Sequence, residues 1–155
     1  MISLIIPTYR NPEYLDICLK SAVEGQTLNN EIIVVVDGFV EESNEILEKY
    51  KGKIQVLPLE DNQGMQQALN LGVMNATNER IMIINDDNVL CNGWDSIWAD
   101  MSEGEVKTIN QIEPTGPGIF NFPTKDFGSS PNDFNYEGFL EYENCLLYTS
   151  PSPRD

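Results

Sequence analysis

The chain has 155 residues, 41% of them hydrophobic, a composition that suits one folded domain with a substantial core. Its net charge of −16 argues against a protein that binds a nucleic-acid polymer, because that function needs a basic face. There is no histidine, which excludes histidine catalysis and His-ligated zinc, and three widely spaced cysteines argue against a disulfide framework. No apolar run could span a membrane and no secretory signal precedes the first strand, so we expect a cytoplasmic protein.

Strands and helices alternate in the structure predicted for the first sixty residues. Apolar, β-branched runs predict strands, and apolar residues three and four positions apart predict helices. Asn11 and Pro12 are typical of a helix N-cap and first helical position, and Gly25 is typical of a helix end. The predicted elements are a strand over 2–6, a helix over 11–25, a strand over 31–36, a helix over 41–51 and a strand over 54–59.

The same alternation continues beyond residue 60 and then gives way to a loop rich in Pro and Gly. One helix opens at Gly64 and carries an apolar stripe as far as Ala76. Another helix opens at Gly93, with Trp94 and Trp98 on its inner face. The remaining predicted elements are a strand over 80–84, a fifth strand over 106–112, a loop over 113–133 and a helix over 138–144.

This order of elements predicts an α/β fold with an open, mostly parallel sheet flanked by helices. Ligands of such sheets bind beyond the carboxyl ends of the strands. Polar residues follow three of the predicted strands, at Thr8–Tyr9, at Asp37–Gly38 and at Asn85–Asp87. The sequence therefore predicts a binding site where these three clusters meet.

The acidic run Asn85-Asp86-Asp87-Asn88 directly follows an apolar strand. Adjacent carboxylates repel each other unless a cation or hydrogen-bond donors balance them, and their oxygens suit Mg²⁺ or Mn²⁺. On so acidic a chain, a nucleoside diphosphate would be neutralised mainly by a metal and by backbone N–H groups. The alternative is a solvated turn, since Asn and Asp both favour turns.

Several short motifs follow one another along roughly residues 2–101. They are Ile5-Ile-Pro-Thr-Tyr9, Leu19-x-Ser21 with Gln26, Glu31-Ile-Ile-Val-Val-Val-Asp37-Gly38, Asn62-x-Gly64-x-x-x-Ala68-x-Asn70-x-Gly72, Ile84-Asn-Asp-Asp87 and Gly93-Trp94. In this order and spacing, they resemble the family 2 glycosyltransferases with the GT-A fold.

The resemblance implies a role for each matching residue. Asp37 would accept a hydrogen bond from the nucleotide base, and Asp86 would lie near the ribose or the metal. Asn85 and Asp87 would ligate Mn²⁺ or Mg²⁺. The general base lies well beyond the metal motif in this family, and Glu113 is the stand-in that this sequence offers. The donor-nucleotide residues implied are Pro7, Thr8, Tyr9, Asp37, Asn62, Gly64, Asn70 and Asp86.

The activity implied is transfer of a sugar from a nucleoside-diphosphate sugar, with UDP, GDP or dTDP as the nucleotide. The acceptor would be a hydroxyl of a glycan, lipid or small molecule, attacked with inversion at the anomeric carbon. Three positions depart from the family pattern: Phe39 and Val40 follow Asp37-Gly38 in place of the usual residues, Leu69 stands where Arg is common, and Asn85 replaces an Asp.

Two other classes remain open. A nucleotidyltransferase shares this architecture, but it usually has a Gly-rich loop with Arg or Lys after the first strand, and Thr8-Tyr9-Arg10-Asn11 is not Gly-rich. A non-catalytic acidic α/β module of the receiver type would need a lysine after a later strand, whereas Lys107 lies at the start of one.

The last eleven residues, 145–155, differ in composition from the rest and resemble the translation of a sequencing-library adapter. The alternative is a natural flexible tail rich in Pro and Ser. We expect a glycosyltransferase-like domain over 1–144, comprising the donor-binding part and an incomplete acceptor part, followed by a non-native tail over 145–155. On that interpretation the chain is truncated at its C-terminus and lacks its catalytic base.

Overall fold

The computed structural model describes residues 1–98, 101–107, 112 and 125–149. They belong to two compact units, Met1–Ile97 and Trp98–Asp155. The first unit holds four strands and three α-helices in strict alternation: β1 (Ser3–Thr8), α1 (Pro12–Glu24), β2 (Glu31–Asp37), α2 (Val40–Lys49), β3 (Gln55–Leu59), α3 (Met65–Asn75) and β4 (Ile81–Ile83).

The four strands form one sheet in the order β3-β2-β1-β4, and all neighbouring pairs are parallel. This confirms the predicted α/β fold with a parallel sheet. The central strands β1 and β2 are buried almost throughout, as expected for apolar strands covered by helices on both faces. On one face Ile5, Ile33 and Val35 pack against Ala68 of α3. Alternate residues of the same strands point to the other face, where right-handed crossovers place α1 and α2.

Gly72 brings α3 into close contact with the sheet. A Cβ atom at this position would lie 2.4 Å from Cγ2 of Ile5 and 3.2 Å from Cγ2 of Val35. Ile5 and Val35 are both fully buried, and their β-branched side chains have little freedom to move. The glycine is therefore explained by packing alone.

We expect Gly72→Ala to lower the free energy of unfolding by up to about 2 kcal/mol. Alanine favours the helix by about 1 kcal/mol, but overpacking a well-filled core costs about 1–3 kcal/mol. Chemical denaturation measures the net effect. Gln67→Ala, an exposed position on the same helix, is the control and should change stability by less than about 0.5 kcal/mol. A stabilised Gly72→Ala variant would show that the contact is not tight.

The helix predicted from Gly93 onward is wrong. The structure has turns there, followed by a single turn of 3₁₀-helix at Ser96–Trp98. Gly93 has a φ of 72°, which an α-helix does not allow, and the Asp95 side chain is held by hydrogen bonds to Thr27 and Leu28. The tryptophans are buried as predicted, but not along a helical face.

The fifth strand predicted over 106–112 is also not seen where the structure can test it. Val106, Lys107 and Ile112 lie in no strand, and residues 108–111 are outside the described part of the chain. Val106 is 88% exposed, which does not fit a strand in the sheet interior. Most of the predicted loop over 113–133 is likewise outside the described residues, and its described part, 125–133, contains only bends and turns.

The second unit contains α4 (Tyr136–Thr149), which begins two residues before the predicted helix and extends past residue 145. Asn135 explains the earlier start, because its Oδ1 accepts a hydrogen bond from the N–H of Gly138, 2.9 Å away. Aromatic rings pack around Phe127 in this unit, including Phe139 at 5.6 Å and Tyr142 at 5.6 Å between ring centroids.

In the described part of the chain, no helix combines the length and apolarity needed to cross a bilayer.

Candidate active site

The order of the strands places a topological switch point between β1 and β4. From β1 the chain builds the sheet towards β3, and α3 then carries it back to the other side of β1. Crevices at the carboxyl ends of strands at such points are where open α/β sheets bind ligands. The residues that leave β1 and β4 at this edge, Thr8 and Asn85–Asp87, are those that the sequence predicted for the site.

Pro7 separates the two strands at the switch point. Ser3 donates its N–H to Arg80 and Ile5 accepts the N–H of Ile84, so these alternate residues of β1 face β4. Pro7 continues that alternation, but it has no N–H to donate, and the pairing of β1 with β4 stops at Ile5. The chain after Ile84 is therefore free to turn away from β1 and to open a space at this edge.

Thr8 and Asp86 meet across that space. The hydroxyl of Thr8 donates a hydrogen bond of 2.6 Å to Oδ2 of Asp86, and the side chain of Asn11 also hydrogen-bonds to this carboxylate. Asn11 is the residue before α1 as predicted, but its side chain makes no capping bond to the helix. Partial burial raises the pKa of Asp86, and the charge of Asp87 raises it further, against the opposing effect of the Thr8 and Asn11 hydrogen bonds.

Asn85 and Asp87 are both exposed, on either side of Asp86. Asp87 Oδ1 accepts a hydrogen bond of 3.0 Å from the side chain of Asn88, and the backbone oxygen of Asn85 accepts one from the Cys18 thiol. Among the described residues there is no cluster of three or more acidic or cysteine side chains that could enclose a metal by itself. The side-chain oxygens of Asn85 and Asp87 do fit a hard divalent cation that is shared with a phosphate ligand. Mg²⁺ commonly takes one or two carboxylates and completes its coordination shell with phosphate and water.

Asp37 lies at the same edge of the sheet, at the end of β2, and is only 3% exposed. Its Oδ1 accepts the backbone N–H of Gln63 at 2.6 Å and its Oδ2 accepts that of Gly64 at 2.9 Å. The carboxylate thus accepts from the two backbone N–H groups just before α3, where the helix dipole favours negative charge. The structure places Asp37 beside Asn62 and Gly64 as a group, since a Cβ at Gly38 would lie 2.8 Å from the backbone nitrogen of Asn62.

The other predicted site residues are placed as follows. Pro7 is buried in β1, whereas Tyr9 is 45% exposed and its ring lies edge-on to that of Phe39, 5.9 Å between centroids. Asn70 is exposed on the side of α3 opposite Ala68, which faces the sheet, so the structure does not bring it to the other residues. Glu113 lies outside the described residues.

A feature that the sequence did not predict is how the segment 85–95 lies along α1. Its backbone contacts α1 repeatedly: Leu90 donates its N–H to the hydroxyl of Ser21 at 2.9 Å, and Gly93 donates its N–H to the oxygen of Gly25 at 2.6 Å. The indole N–H of Trp94 donates to the backbone oxygen of Ala22 at 3.1 Å. The segment that carries the acidic run is therefore attached at several points to α1 and to its C-cap, Gly25.

Asp95 holds the far end of segment 85–95 and is 1% exposed. Its carboxylate accepts hydrogen bonds from the N–H and hydroxyl of Thr27, both at 2.9 Å, from the N–H of Leu28 at 2.7 Å and from Asn30 Nδ2 at 2.7 Å. Burial alone would raise the pKa of Asp95, but the hydrogen bonds from Thr27, Leu28 and Asn30 outweigh it and lower the pKa. The sequence does contain a signal for this role, because Asp95 is an acidic residue between the apolar residues Trp94 and Ile97. A carboxylate in an apolar segment is buried only when it is well paired, so its partners could have been sought.

Comparison with known proteins agrees with the fold. The family model "Glycosyl transferase family 2" matches residues 3–113. The chain is 28% identical over 136 residues to the glycosyltransferase GlyG of Streptococcus pneumoniae, which is 82% of this chain and 45% of that protein. It is 35% identical over 113 residues to an uncharacterized glycosyltransferase of Rickettsia prowazekii, RP339, which is 73% of this chain and 33% of that protein. The chain thus spans less than half the length of either relative.

Two solved structures share the fold. One is S. aureus TarS, residues 1–349, in complex with UDP-GlcNAc, with a TM-score of 0.55 and 26% identity over 62% of this chain and 28% of that one. The other is the mannosyltransferase PcManGT of Pyrobaculum calidifontis in complex with GDP-Man and Mn²⁺, with a TM-score of 0.60 and 19% identity over 71% and 35%. These likenesses confirm the predicted GT-A-like sheet. Since the family model matches well over half of its residues, the chain belongs to glycosyltransferase family 2.

Proposed function

We propose that this chain is the donor-binding part of a glycosyltransferase that moves a sugar from a nucleoside-diphosphate sugar to an acceptor hydroxyl, with inversion at the anomeric carbon. The observation that carries the proposal is the hydrogen bond from Thr8 to Asp86, which holds the acidic run over the switch point of the sheet. Family membership and the nucleotide-sugar complexes of TarS and PcManGT support it. A cytoplasmic location stays a prediction.

The proposed roles of the residues follow from their positions. The segment Pro7–Tyr9, at the end of β1, borders the nucleotide, with the exposed ring of Tyr9 available to the base. Asp37 accepts a hydrogen bond from the base with lone pairs that the N–H groups of Gln63 and Gly64 leave unused, because each carboxylate oxygen can accept two. Asp86 is fixed by Thr8 beside the ribose. Asn62, Gly64 and Asn70 as nucleotide contacts, and Glu113 as general base, stay predictions.

A divalent cation, Mn²⁺ or Mg²⁺, belongs to the proposal as the partner of Asp87 and Asn85. When bound, it supplies positive charge to the diphosphate that leaves. Asp87 is exposed and projects from a segment fixed at both ends, by Thr8 and Asn11 through Asp86 and by Asp95. These attachments restrain the backbone on both sides of Asp87 before any ligand arrives, which lowers the ordering that binding requires.

Titration of the full chain with UDP and with GDP, each with and without Mn²⁺, tests the proposal. We expect one of them to bind with a Kd at or below about 1 mM in a Mn²⁺-dependent manner. Asp87→Ala should weaken that binding by about tenfold or more, since it removes a charged metal ligand. Glu45→Ala removes an exposed carboxylate from the middle of α2 and should leave binding unchanged.

Three outcomes would contradict the proposal. Binding of neither nucleotide at about 1 mM would favour the non-catalytic module. Equal losses in Asp87→Ala and Glu45→Ala would show that net charge, not a metal site, governs binding. Release of pyrophosphate from a nucleoside triphosphate and a sugar phosphate would favour the nucleotidyltransferase.

A further inference from the structure

Arg10 and Phe39 have an unusual backbone conformation. They are the non-glycine residues with positive φ in the described part of the chain, at 52° and 55°. Arg10 follows β1 and Phe39 follows β2, so the parallel sheet brings both to the carboxyl edge. Residues other than glycine rarely adopt this left-handed backbone conformation, and those that do are concentrated at functional sites.

The two side chains are in contact with each other. The guanidinium carbon of Arg10 lies 4.6 Å from the centre of the Phe39 ring, a cation–π geometry. The same guanidinium pairs with Glu42 through two bonds, Nη2 to Oε1 at 2.9 Å and Nε to Oε2 at 3.2 Å. Half of the Arg10 side chain is nevertheless exposed, and an exposed ion pair contributes little to stability. Glu42 can therefore be displaced by another anion at small cost.

Arg10 also stands alone as a cation at this edge of the first unit. The lysines at 49, 51 and 53 lie at the end of α2 and just before β3, and Arg80 precedes β4, which places them at the opposite edge of the sheet. Lys20 is eight residues into α1, about 12 Å along a helix that runs away from the carboxyl edge. On a chain with a net charge of −16, this guanidinium is the side-chain cation that the first unit offers to an anionic ligand at the carboxyl edge of its sheet.

We propose that Arg10 binds the diphosphate of the donor nucleotide and gives up its ion pair with Glu42 when it does so. The proposal rests on the proposed function, which supplies the nucleotide. A guanidinium binds phosphate oxygens in the same two-pronged manner as it binds a carboxylate. Phe39 keeps the guanidinium in position during the exchange, because its contact with the guanidinium carbon at 4.6 Å does not depend on Glu42. Glu42 competes with the ligand and lowers its affinity.

Titration of the full chain with UDP and with uridine, both with Mn²⁺ present and at low ionic strength, tests Arg10 directly. We expect Arg10→Gln to weaken UDP binding about tenfold and to leave uridine binding unchanged, because only UDP carries the diphosphate. Lys49→Gln is the matched control: it removes one positive charge from an exposed ion pair with Asp16, with N–O at 2.7 Å, at the opposite edge. Thermal unfolding of each variant checks that it is folded.

Glu42→Gln provides the opposite change. Removing the competing carboxylate should tighten UDP binding about two- to fivefold, whereas Glu48→Gln, which frees Lys51 in the same manner, should not. If GDP is the tighter ligand, the same comparison applies to GDP and guanosine. Equal effects of the Arg10 and Lys49 variants on a nucleotide that binds would overturn the assignment of Arg10 alone. If the wild-type chain binds neither nucleotide, the proposed function fails as well.

Discussion

Replacing Asp95 by alanine is expected to lower the free energy of unfolding by about 3–5 kcal/mol. The change removes a buried carboxylate that accepts from four donor groups: the N–H and hydroxyl of Thr27, the N–H of Leu28 and Nδ2 of Asn30. A hydrogen bond to a charged group contributes about 1.5–3 kcal/mol, and only part of that is lost where the donor can turn to water or to another acceptor, as Asn30 Nδ2 can to the backbone oxygen of Leu28. Losses of this size are exceptional for single substitutions. Denaturant unfolding of the two proteins measures the difference.

The effect of Asp95 should depend on pH in a defined direction. Its pKa is lowered in the folded chain, so its contribution to stability is fully present above the pKa of the unfolded state. The contribution is lost as the pH falls through the folded-state pKa. We therefore expect the stability difference between wild type and Asp95→Asn to be largest near neutral pH and to shrink in acid.

Asp133→Asn is the matched control for Asp95. Asp133 also accepts hydrogen bonds from a nearby backbone N–H and hydroxyl, both of Ser130, but it is exposed. Its replacement should change stability by less than about 1 kcal/mol. Similar losses for the two aspartates would mean that burial does not strengthen the Asp95 bonds.

Replacing Asp37 by alanine is expected to lower the free energy of unfolding by about 2–3 kcal/mol, separately from any loss of nucleotide binding. Its carboxylate satisfies the backbone N–H groups of Gln63 and Gly64, and both would lose their acceptor. The loop between β3 and α3 should loosen first, which hydrogen exchange at Gln63 and Gly64 can detect.

Asp61→Ala controls for charge in the Asp37 experiment, because Asp61 is exposed in the same loop. It should leave both stability and exchange nearly unchanged. An Asp37→Ala variant that unfolds like wild type yet binds no UDP would assign Asp37 to the ligand alone. A destabilised variant with unchanged affinity at a temperature where it is folded would assign it to the loop alone.

Much of the fold follows from local sequence patterns. Apolar runs such as Ile32–Val36 have no polar face, and only a strand covered on both sides can bury them. Parallel strands then bring the residues that follow them to one edge of the sheet. The sequence therefore predicts that Thr8, Asp37 and Asp86 lie at the same edge. The pairing of Thr8 with Asp86 is a direct consequence of that topology.

The contacts that the sequence did not reveal depend on residues far apart in the chain. Asp95 lies 65 positions from Asn30, and Arg10 lies 32 positions from Glu42, so no local spacing relates them. The left-handed conformation of Phe39 is equally hidden, because phenylalanine has no preference for it. The helix predicted from Gly93 fails for the same reason, since the contacts of Asp95 override helical spacing.

The rate at which the buried thiol of Cys18 reacts with a labelling reagent can report motion in this protein. It lies beneath the start of segment 85–95, and burial, followed by the charges of Asp86 and Asp87, raises its pKa, so it is protonated and shielded from alkylating reagents. We expect modification of this sulfur to follow movement of segment 85–95 away from α1. In a chain whose other two cysteines are replaced by serine, the labelling rate would then report that movement, and a bound nucleotide should slow it.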